Sequence, residues 1–125
     1  MPQATVNFQA TERFDLKSCP EGFVELRRMS YGEKLSRQQM AMEMAMREGG
    51  KGQADDMVLK MTQLKVVEFE FANCIVDHNL TDEADQRLDF KKPKSVHSLH
   101  PQIGDEINEL IDKMNTFEES EEAKN

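Results

Sequence analysis

Tryptophan is absent from this chain of 125 residues, tyrosine occurs once, and cysteine only twice. A core built from it must rest on aliphatic, phenylalanine and methionine side chains. With 38% hydrophobic and 32% charged residues, that composition predicts a soluble, helix-rich protein with a limited core. Cys19 and Cys74 stand far apart in a chain without a secretory pattern, which predicts free thiols rather than a disulfide. No apolar run approaches the roughly 20 residues of a membrane helix, and MPQATVNFQATERF lacks the charged-then-apolar order of a signal peptide. The expectation is a cytoplasmic protein that does not bind membranes. No long Gly/Pro/Ser linker divides the chain, so one domain is expected over 1–116.

A basic surplus is missing as well. Of the net charge of −8, residues 103–125 carry −6, from eight acids against Lys113 and Lys124. Nucleic-acid binding needs a basic face to displace phosphate counterions, and this distribution disfavours it. Lys91, Lys92 and Lys94 around Pro93 read as a solvated loop. Enzyme signatures are equally scarce: GxSxG and HExxH do not occur. GGKG (49–52) lacks the Ser/Thr and the upstream glycine spacing of a phosphate loop, and it follows a helical stretch rather than a strand.

What is present has a clear order. RFDLK (13–17) and GFVELRR (22–28) alternate apolar with polar residues around the turn formers SCPEG, which predicts an antiparallel hairpin. Ser30-Tyr31-Gly32-Glu33 matches a capping box, and the run to Arg47 holds no proline or β-branched residue, so a helix starts here and stops at Gly49–Gly52. A second helix is predicted from about Ala54 to His78, although VVEFEFANCIV also has strand propensity. Residues 79–100 read as a turn-rich connection with one helical turn near KKPKSVHSLHP. Pro101 opens a third main helix, with Ile103, Ile107, Leu110, Ile111 and Met114 on one face. FEESEEAKN, covering 117–125, has too little apolar surface to offset its ordering entropy and is expected to be a disordered acidic tail. The fold class is therefore α+β, mainly α-helical.

Two constellations bear on function. MAMEMAM (40–46) has a methionine at every second position. Wound as a helix, it splits them: Met42 and Met46 join Tyr31 and Leu35 in a predicted core stripe, while Met40 and Met44 fall on the opposite side as candidates for partner binding. Methionine is flexible and polarizable, so such a surface adapts to apolar partners. Leu59 and Val66 on the second helix join them as candidates. Separately, Cys74 with His78 at i, i+4 and His97 with His100 at i, i+3 could supply four zinc ligands. The bland alternative is a buried thiol, a helix-end histidine and two loop histidines, and no metal is assigned.

The order of elements, with ELRRMSYGEKLSRQQMAMEM, FANCIVDHNLTDEADQRLDF and LHPQIGDEINELIDKMN, resembles the tail assembly chaperones of siphovirus-like, long-tailed bacteriophages over roughly residues 13–116. His100 stands where that family more often has an acidic residue. The resemblance implies a non-enzymatic protein of the host cytoplasm, without a cofactor. It would bind the helical tape measure protein and keep it soluble, help recruit tail tube (major tail) protein, and be absent from the mature virion. It also implies a homo-oligomer, or association with a longer form made by ribosomal frameshifting. No residue carries over as catalytic. Two rival expectations are a structural tail component, such as a tail-completion or connector protein, and a small zinc-binding adaptor.

Overall fold

A computed structural model describes the chain apart from residues 1, 3, 49–54 and 125, and apart from the side chains of 44–48, 55–62 and 116–124. The order is β1 (Thr11–Asp15), β2 (Phe23–Arg27), α1 (Tyr31–Glu48), α2 (Asp55–Cys74), β3 (Ile75–His78), α3 (Pro93–His97) and α4 (Pro101–Lys124). The fold is α+β, with the expected N-terminal hairpin extended to a three-stranded antiparallel sheet in the order β1-β2-β3.

The hairpin register pairs Phe14 with Val24 and Glu12 with Leu26. Alternation then sends Val24 and Leu26 to the inner face, where both are fully buried, and leaves Phe23, Glu25 and Arg27 half-buried on the other. The turn closes through Gly22 N–H donating to the Cys19 carbonyl, with Glu21 at a φ of 66°. A Cβ at Gly22 would sit 3.0 Å from the Cys19 carbonyl oxygen and Sγ, so the close approach requires glycine.

The second helix is shorter than its apolar pattern predicts. It ends at Cys74, and Ile75–His78 instead pairs with β2, Val24 opposite His78 and Leu26 opposite Ile75, with a register shift at Glu25/Leu26. The β-branched pair Ile75-Val76 can complete the open edge of a marginal two-stranded hairpin there, and tertiary pairing overrides the helical period. Arg87 seals this edge, its Nη2 donating to Asp77 and its Nε to the His78 carbonyl.

The core lies between the inner face of the sheet, the C-terminal half of α2 and α4. Val24, Leu26, Phe71, Cys74, Ile107 and Ile111 are its largest fully buried side chains. From α4, Ile107 and Ile111 are buried while Ile103, Leu110 and Met114 pack at the margin, as their spacing predicts. Leu80 and Phe90 close the core from the connection, Phe90 meeting Phe71 edge-on at 5.9 Å. Two polar ties fix α4 to the sheet. Glu106 accepts from Lys17 N–H, Ser18 N–H and Ser18 Oγ, and Asn115 Oδ1 accepts from Met29 N–H at 2.9 Å. Against the cost of desolvation, the bonds from Ser18 and Lys17 hold the Glu106 carboxyl below its usual range. The backbone of α4 is helical to Lys124, while side chains are described only to Asn115. The acidic end expected over 117–125 falls outside that range.

Candidate functional site

The capping box forms as predicted: Glu33 N–H donates to Ser30 Oγ at 3.2 Å, and Ser30 N–H to Glu33 Oε1 at 3.0 Å. Glu33 also receives a fork from Arg27, with Nη1 to Oε1 at 2.8 Å and Nη2 to Oε2 at 2.7 Å. That fork holds the Glu33 carboxyl below the ordinary carboxylate range. One turn further along α1, Arg37 Nη1 donates to Glu70 Oε1 on α2 at 2.9 Å. Together these bonds fix the rotation of α1 about its own axis.

They turn it opposite to the way its apolar residues suggest. The side facing α2 carries Arg37 with Met40 and Ala41, three and four residues on, all half-buried. The predicted core stripe faces out: Tyr31 is 73% exposed, Leu35 45% and Met42 64%. An ion pair and its aliphatic stems occupy the α1–α2 seam, so the larger apolar surface is left on the solvent side. Met40, predicted as an exposed partner-binding candidate, is half-buried on the side toward α2. Val66, one turn before Glu70, is half-buried. The side chains of Met44, Met46 and Leu59 lie outside the described residues.

Tyr31, Leu35, Gln38 and Met42 follow 4-3-4 spacing, the step of a coiled-coil seam. All four are exposed, and they run in line over about 16 Å of helix. Such a line of large apolar side chains accepts another helix, ridge into groove. Polar groups flank it, Lys34 and Ser36 near its start and Gln39 bonded to Glu43 near its end. Periodicity found this stripe. It could not say which way it faces, because that depends on polar partners distant in sequence.

A second apolar recess of about 610 Å³ lies where the 80–88 connection meets the α3–α4 turn, floored by Leu80, Leu88, Leu99 and Ile103. Asp82 stands at its mouth, but its Oδ1 already caps Ala84 and Gln86 N–H, which makes it part of the turn.

The four candidate zinc donors are not brought together. Cys74 is buried at the end of α2, and desolvation pushes its thiol up to about 12, which disfavours the thiolate a metal needs. His78 Nδ1 accepts from Leu80 N–H at 3.0 Å, and burial lowers its proton affinity. His97 Nε2 lies 2.7 Å from Glu68 Oε1, and His100 Nδ1 accepts from Gln102 N–H. Among the described residues no three Cys, His, Asp or Glu side chains form a metal-holding group, and both cysteines are free. Also among them, no helix is long and apolar enough to cross a membrane.

No family model, curated protein or solved structure matches this chain. The outward face of α1 is thus the feature from which a function can be argued.

Proposed function

We propose that this chain is a tail assembly chaperone of long-tailed bacteriophages, acting in the host cytoplasm to bind the tape measure protein and keep it soluble. The observation that carries the reading is the outward face of α1, where Tyr31, Leu35 and Met42 are left uncovered on a helix otherwise anchored by ion pairs. Large, exposed apolar side chains in line on an ordered helix mark a binding surface. Their spacing suits a long helical client whose own apolar stripe would aggregate without cover. The resemblance over residues 13–116 supplies the identity of that client, and extends the reading to recruitment of tail tube protein.

The test is co-expression of the full chain with the tape measure protein of the same phage. The tape measure protein is expected in the soluble fraction with this chain and in the pellet without it. Mass spectrometry of purified particles is expected to find no copies of this chain. Stoichiometric copies in the particle would instead identify a structural tail component.

A further inference from the structure

We infer that the α3–α4 turn carries a separate binding site, for a segment of a partner protein that presents two large apolar side chains flanked by Lys or Arg. The recess of about 610 Å³ floored by Leu80, Leu88, Leu99 and Ile103 has a neighbour of about 190 Å³, walled by Val67, Phe71 and Val96. Leu99 and His100 line both, and so form the ridge between them. Two apolar sockets astride one ridge suit two side chains a helical turn apart, about 5–6 Å, better than one compact molecule.

Charge specifies the rest of the occupant. Asp82 and Glu83 line the larger recess and Asp105 the smaller, whereas no Lys or Arg lines either. The nearby basic side chains are turned elsewhere, Arg87 and Lys91 lining a different recess beside Ile75 and Val76. Asp82 Oδ1 is taken by the turn, but Glu83 and Asp105 are exposed and have no ionic partner among the described residues. A segment with Lys or Arg on both sides of its apolar pair meets a carboxylate at each recess, and one flanked by acids is repelled. The sockets thus supply affinity and the carboxylates supply the choice of partner. Because the bonds of Asp82 fix the 82–86 turn in advance, little of the rim has to be ordered on binding. The site shares no residue with α1, and the inference does not rest on the tape measure reading.

The chain has no tryptophan, so the emission of a tryptophan in a peptide reports its burial directly. The probe is a short helical peptide with Trp and Leu at i and i+4 between paired lysines. Titrated with the full chain, its emission is expected to shift to the blue and saturate with a Kd on the order of 100 μM. Glutamates in place of the lysines, or Ala in place of the Leu, are expected to weaken binding at least about fivefold. Two variants locate the site. Glu83→Lys/Asp105→Lys is expected to lose the lysine-flanked peptide and gain the glutamate-flanked one. Gly104→Leu grows into the smaller recess from a position where a Cβ meets Leu99 only at ordinary contact, 3.9 Å, and is expected to weaken binding about tenfold. Urea denaturation confirms that both variants are folded. Absence of a saturable shift, or unchanged binding by Gly104→Leu, would overturn the inference. Equal binding of the two flanked peptides would do so in favour of a small apolar ligand, and a wild-type dimer that Gly104→Leu dissociates would do so in favour of a second copy. Loss of binding in a folded Leu35→Glu/Met42→Glu chain would move the peptide to α1 and overturn it as well.

Discussion

Glu70 shows how one residue can redirect a helix. Its side chain is 95% buried and bonded to Arg37 through Oε1, and among the described residues its Oε2 has no hydrogen-bond partner. Burial, followed by the nearby charge of Asp112, raises its proton affinity, and Arg37 offsets only part of this. The folded-state pKa thus lies above the ordinary 4.5. The proton is bound more tightly by the native state, so stability rises as pH falls through the raised value toward 4.5. Glu70→Gln keeps an acceptor for Arg37 and removes the desolvated charge. It is expected to match or exceed the wild type at pH 7 by up to about 1 kcal/mol, and to lose the gain on acidification. Urea denaturation at pH 7 and pH 5 checks both, and a loss above about 2 kcal/mol at pH 7 would show that the ion pair itself is the stabilising element. At the start of α1, Ser30→Ala removes an N-cap and is expected to cost about 1 kcal/mol.

Among the elements, α1 and α4 have similar amphipathic patterns and opposite fates. The apolar face of α4 meets the sheet and α2, and Ile107→Ala is expected to cost about 2–5 kcal/mol, since Ile107 is fully buried. The corresponding face of α1 meets nothing in the described chain, so Met42→Glu is expected to change stability by less than about 0.5 kcal/mol. Thermal or chemical denaturation of the two variants compares the faces directly. The hairpin, the capping box, the α3 turn and the core face of α4 were legible in the sequence, because each is set by local chemistry or by burial of a simple repeat. The conversion of Ile75–His78 to strand was legible only as the strand propensity of VVEFEFANCIV, because the pairing depends on the open edge of a sheet formed about fifty residues earlier. The orientation of α1 was not legible. Apolar periodicity assumes that the greasier side turns inward, and here Arg37 and Glu70 hold the other side in.

Over the whole molecule, charge and apolar surface divide the labour. The folded body is closed by short polar ties, Glu106 to the β1–β2 turn and Asn115 to Met29, and most of the acidic surplus lies in residues 103–125. Such a surplus keeps copies apart and favours solubility. Among the described residues, an extended line of large apolar side chains faces outward from α1. This line is proposed to receive a helical partner. The direct measurement is co-expression of the tape measure protein with a Leu35→Glu/Met42→Glu chain, with urea denaturation confirming that the variant is folded. The folded variant is expected to leave the tape measure protein in the pellet while the wild type keeps it in solution. Equal solubilisation by both chains would contradict it.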